Sequence, residues 1–80
     1  MFAMCEVGQS GDILEVRAKS KKVIGKTLKE LNLPKDSLVM LVKRGNDTIV
    51  PHGDLQIHED DHVTTLGKGD AARQAGDMFI

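Results

Sequence analysis

Leu38-Val39-Met40-Leu41-Val42-Lys43-Arg44-Gly45-Asn46-Asp47-Thr48-Ile49-Val50-Pro51 is the stretch on which the fold turns. Five apolar residues from Leu38 to Val42 make a run of strand length. Because the run is continuous rather than alternating, burial on both faces is expected, and hence a central strand. Lys43 and Arg44 end it in solvent. Gly45-Asn46 is a two-residue hairpin signal, and Asp47 leads into a second strand at Thr48-Ile49-Val50. Pro51 cannot donate a ladder hydrogen bond, so this strand stops there.

Upstream of the hairpin, residues 12–18 alternate. Leu14, Val16 and Ala18 point one way, and Glu15 and Arg17 the other, as in a strand with one wet face. Lys19-Ser20-Lys21-Lys22 is a basic connector. Ile24, Leu28 and Leu31 follow at i, i+4 and i+7, the spacing of a short helix face, which Asn32 and Pro34 would end. Downstream, His52-Gly53-Asp54 turns the chain, Leu55 and Ile57 are anchors, and Glu59-Asp60-Asp61 is a polar turn. His62 to Leu66 is the last strand, closed by Gly67. Asp70 is placed to cap a final short helix with Ala71, Ala72, Ala75, Met78 and Phe79 on its apolar side, and Gly76 weakens that helix. The expected fold is a small α+β domain ordered β-α-β-β-β-α, a four-stranded sheet packed against a short helix. Residues 1–11 read as a flexible tail and residues 12–80 as the domain.

Eighty residues allow one core, and Leu, Ile, Val and Phe supply 22 of them, enough to fold but marginally. A partner copy would bury apolar surface that one copy leaves wet. The charge is balanced, with 11 Lys plus Arg against 12 Asp plus Glu. With two Phe and no Trp or Tyr, neither a basic face nor a stacking platform for nucleic acid is expected. The single Cys5 cannot close an internal disulfide, and no apolar run reaches the ~20 residues of a membrane span. The chain is expected to be cytoplasmic, with no direct membrane insertion.

His58-Glu59-Asp60-Asp61-His62 has the letters of a zinc-protease motif. That chemistry needs both histidines one helical turn apart. In a turn entering a strand their Cα atoms stand about 13 Å apart, so no metal site is assigned. Cys5 has no histidine partner, no carboxylate pair suggests acid–base work, and no glycine-rich phosphate loop is present. No catalytic residue and no enzyme activity are expected. Lys43, Arg44 and His52 are the candidates for meeting an anionic ligand, since arginine offers phosphate a bidentate fork.

Four of these pieces, in this order, resemble a known family. Val23-Ile24-Gly25-Lys26-Thr27-Leu28-Lys29-Glu30-Leu31-Asn32-Leu33-Pro34 is similar to a characteristic segment of the TrkA C-terminal (RCK C-terminal) domain. The strand Leu38 to Val42 with Arg44-Gly45, the element Ile49-Val50-Pro51-His52-Gly53-Asp54, and the closing stretch Ile57 to Gly67 resemble its other motifs. Asp60 stands where the family often has Gly, and aspartate tolerates the left-handed backbone that the turn needs. The resemblance implies a ligand-sensing and dimerisation domain that regulates a membrane ion transporter or channel, with cation (potassium) transport as the expected setting. It implies a homodimer, association with the membrane through the parent transporter, and a nucleotide effector such as cyclic di-AMP. A pure subunit-coupling module with no metabolite ligand is the alternative.

Overall fold

The structure is a computed structural model, and it describes residues 13–80. The tail expected over residues 1–11, and Cys5 with it, lies outside the described residues. Strand β1 spans Ile13–Arg17, β2 Ser37–Arg44, β3 Asp47–Ile49 and β4 His62–Gly67, and one helix, α1, spans Ala71–Asp77. They form one antiparallel sheet in the order β1-β4-β2-β3. The small α+β fold with a four-stranded sheet is the one the sequence implies.

The Gly45-Asn46 hairpin forms as expected, with Arg44 opposite Asp47. Gly45 takes φ +61 at the first turn position, which glycine adopts without penalty. Asp60 holds φ +70 in the turn before β4, so the aspartate does there what a glycine would do.

The first helix is corrected. Residues 21–25 form turns, and a single 3-10 turn spans Leu28–Glu30. Gly25 lies at φ +92 and Thr27 is extended, so a helix cannot run through them. The backbone N–H groups of Gly25, Leu28 and Lys29 donate instead to the carbonyls of Ile57, Leu55 and Gly53, at 2.8 to 3.0 Å. The apolar spacing is real, but it seats Val23, Leu28 and Leu31 in the core from an irregular segment laced to the 53–57 loop.

The helix that covers the sheet is α1. It buries Ala71, Ala72, Ala75 and Gly76, and small side chains let it approach closely. A Cβ on Gly76 would stand 2.7 Å from Leu14 Cδ2, so this glycine serves packing, not fraying. Asp70 occupies the N-cap, yet its carboxylate accepts from Arg73 rather than from the helix backbone. Beyond the helix Phe79 is fully buried, and its carbonyl accepts from the backbone N–H groups of Lys19 and Ser20 at 2.7 and 2.9 Å. Thr65 Oγ1 in β4 lies 2.9 Å from the Ala72 carbonyl and 3.2 Å from that of Leu14, between helix and sheet.

Candidate functional site

Residues directly opposite each other in a ladder share a face, and neighbours along a strand alternate. This assigns Leu14, Val16, Val39, Val42, Val63 and Thr65 to the face under α1. The other face carries Ile13, Glu15 and Arg17 from β1, His62, Thr64 and Leu66 from β4, and Leu38, Leu41 and Lys43 from β2. Among the described residues no helix covers it. A register shift between Val39 and Leu41 lets Met40 bulge out.

The expectation that Leu38 to Val42 is buried on both faces is therefore corrected. The strand is internal to the sheet, but Leu38 is 49% exposed and Met40 41% exposed. Leu38 stands across from Leu66, and Leu66 across from Ile13, so three apolar side chains form a row at one end of the face. A shallow groove of about 450 Å³ runs beside it, lined by Asp36, Ser37, Leu38, Leu66, Gly67 and Lys68. The opposite end of the face is polar, with Arg17, His62 and Lys43.

The three residues expected to meet an anion do not converge. Lys43 lies exposed on the uncovered face. Arg44 points the other way and is engaged: its Nε donates to Asp61 Oδ1 at 2.9 Å, and its Nη2 to Asp61 Oδ2 at 2.8 Å and the Gln56 carbonyl at 3.0 Å. Asp61 is 1% exposed and also accepts from the His58 backbone N–H at 2.9 Å. Burial works against its charge, but the Arg44 and His58 hydrogen bonds outweigh it and hold the carboxyl below the usual carboxylate range. Arg44 thus organises the turn that launches β4. His52 is exposed in the loop after β3, where its carbonyl accepts from Leu55.

The histidine pair of the zinc-like motif is a turn running into a strand. His62 Nδ1 lies 3.2 Å from Glu15 Oε2, and Asp61 belongs to Arg44. What the sequence reading missed is the open face itself. Its signal was the parity of β1 and β4, which puts Ile13, Leu66 and Leu38 on the side that α1 does not reach.

The TrkA-C domain model matches residues 9–80. The Trk system potassium uptake protein TrkA homolog of Archaeoglobus fulgidus is 33% identical over 67 residues, which is 84% of this chain and 15% of that protein. The chain therefore spans a small part of this curated relative. Among solved structures, the RCK C domain of the potassium transport protein KtrA in complex with cyclic di-AMP superposes with a TM-score of 0.74. Its identity is 18%, over 95% of this chain and 92% of that one. The RCK_C domain dimer of S. agalactiae BusR in complex with cyclic di-AMP gives a TM-score of 0.69 at 21% identity, over 85% of this chain and 89% of that one. At these identities the two structures share the fold.

Proposed function

Because the chain belongs to the TrkA-C domain family, we propose that it is a regulatory domain of a membrane potassium transporter or channel, one that dimerises and senses a nucleotide such as cyclic di-AMP. The family match over residues 9–80 carries this reading. The relatives named for potassium uptake and the similar folds solved with cyclic di-AMP support it. The uncovered sheet face gives it a physical basis. Leu38 and Met40 stand in water in one copy, and a second copy would remove them from it. Lys43 and His52 are exposed and would be the groups left to meet an anion, while Arg44 is held by Asp61.

The mechanism is linkage, not catalysis. An effector that prefers one dimer geometry shifts the attached gate by its differential affinity, typically about 1–3 kcal/mol. The domain would act in the cytoplasm, held at the membrane by its parent transporter. Among the described residues no helix is long and apolar enough to cross a membrane.

A thermal-shift panel of cyclic di-AMP, ATP, ADP and NAD tests the reading, with light scattering alongside. An effector present at 100 times its dissociation constant should add about 2.7 kcal/mol, many degrees for a domain this small. The expected result is a clear shift with cyclic di-AMP and a mass of twice 8.7 kDa. A dimer that ignores every nucleotide would favour the subunit-coupling module. A mass near 8.7 kDa at all concentrations would overturn the dimer.

A further inference from the structure

A cleft that neither the dimer nor the effector reading uses lies between the Ser20 to Asn32 segment and the chain just beyond α1. Its volume is about 650 Å³, the size of a small-molecule site. None of its lining residues belongs to a strand, so it is separate from the sheet face on which the second copy is placed. Its floor is apolar. Val23 is 3% exposed, Leu31 and Met78 pack against the core, and Ile80 is 63% exposed. Leu38 and Met40 have a second copy to cover them, whereas nothing among the described residues covers Ile80.

The lip of the cleft is basic. Residues 16–29 hold six of the 11 Lys and Arg of the chain (Arg17, Lys19, Lys21, Lys22, Lys26 and Lys29) and no Asp or Glu. Asp60 and Asp54 reach in from elsewhere to take Lys19 and Lys29. Lys22 and Lys26, which line the cleft, form no ion pair among the described residues. What sets them apart from other unpaired lysines is this acid-free stretch, which gives the lip a positive field. Lys35, by contrast, is followed by Asp36, and Lys68 lies two residues before Asp70. Ser20 adds a hydroxyl, whose oxygen accepts from the Lys22 backbone N–H at 3.2 Å and whose proton remains to donate. The two carboxylates of the lining are engaged. Glu30 accepts from the Thr27 backbone N–H at 2.8 Å, and Asp77 from Arg73 at 3.3 Å.

Cations beside uncovered aliphatic surface make two demands on one ligand. A small inorganic anion would satisfy the lysines and leave Leu31 and Ile80 wet, and a neutral apolar molecule would do the reverse. We propose that the cleft binds an amphiphilic anion, an aliphatic chain that ends in one carboxylate or phosphate. Lys22, Lys26 and Ser20 hold the head, and the chain lies over Val23, Leu31, Met78 and Ile80. Glu30 and Asp77 repel further negative charge, which favours a single head group over a polyphosphate. A free fatty acid and the lipid of an anionic membrane surface both have this chemistry.

The test is an NMR titration of the full 80-residue chain with octanoate below its micelle concentration. Acetate, the head without the chain, and octanol, the chain without the head, are titrated alongside. The expected result is a set of shifts centred on Lys22, Val23, Lys26, Leu31 and Met78, with either control binding at least about fivefold more weakly. Octanoate should also bind about fivefold or more weakly to Lys22→Gln with Lys26→Gln, and as tightly as to the parent in Lys35→Gln with Lys68→Gln. All four lysines are exposed, so both double variants should melt with the parent, and loss of binding is not loss of fold. Sedimentation with phosphatidylglycerol vesicles but not with phosphatidylcholine, lost in the Lys22 and Lys26 variant, assigns the source as a membrane surface. Octanoate binding without sedimentation assigns a free amphiphile. Acetate binding as tightly as octanoate, shifts centred on the sheet, equal loss in the two double variants, or silence with both octanoate and vesicles would each overturn the site.

Discussion

Asp61 and Arg44 show how much one side-chain pair can decide. The carboxylate is out of water, and the two hydrogen bonds from the guanidinium offset the cost of hiding it. Removing one partner leaves the other uncompensated. Asp61→Ala is expected to cost about 3 kcal/mol, read as a drop of at least ~10 °C in the thermal midpoint. Arg44→Lys keeps the charge but loses the fork, and should cost less. The pair also sets an acid limit. The folded-state pKa of Asp61 lies below that of the unfolded chain, so its contribution is complete above the unfolded value of about 3.9 and is lost as pH falls through the lower, folded one. Stability measured from pH 6 down to pH 2 should fall steeply in the parent and more gently in Asp61→Asn. Two aspartates hold left-handed backbone, Asp36 at φ +68 and Asp60 at φ +70. Asp36→Gly should therefore stabilise by up to about 1 kcal/mol in denaturant melts, because glycine takes that conformation freely.

At the scale of elements, the joint between β4 and α1 leaves no room for a side chain at Gly67. A Cβ on Gly67 would lie 2.4 Å from the Ala72 backbone N and 2.7 Å from the Ala71 backbone carbon, neither of which can step aside. On Gly76 it would meet Leu14 Cδ2, the end of a side chain that can turn. Gly67→Ala is expected to lose more than about 3 kcal/mol, and Gly76→Ala clearly less, by chemical denaturation of the two variants side by side. The elements themselves were largely legible. Alternation at Leu14 and Val16, the Gly45-Asn46 turn and the apolar run to Val42 each marked a strand, because period and turn chemistry are local properties. The stretch Ile24 to Leu31 misled for the same reason. Its spacing is helical, but the N–H groups of Gly25, Leu28 and Lys29 go to the carbonyls of Ile57, Leu55 and Gly53, far away in the chain, and no local pattern records partners that distant. The candidate site was legible only in part. Lys43 could be read only as the solvent end of the Leu38 to Val42 strand, and not as sharing a face with Arg17 and His62. That placement needs the register of β4 against both neighbours, a tertiary fact. Arg44 looked like a free fork because Asp61 lies seventeen residues away.

For the whole molecule the governing fact, among the described residues, is that α1 covers one face of the sheet and no helix covers the other. If the second copy docks there, placing carboxylates on the apolar row should separate the copies. Leu38→Glu with Met40→Glu is expected to scatter light as a single 8.7 kDa chain. Its thermal midpoint should stop depending on protein concentration, whereas that of the parent rises with it. The strand order has a consequence for biosynthesis. β1 and β2 are not neighbours; each pairs with β4, the last strand to be made, lying between them. A ribosome that has delivered residues 1–61 has released both flanks of the sheet without the strand that joins them. Before residue 67 emerges, the one pair available among the described strands is the short hairpin of β2 and β3, with the apolar edge of β2 open to other nascent chains. Folding of this domain is therefore a late, all-at-once event in its own synthesis, and a chain cut before β4 should leave these residues unfolded and open to proteases.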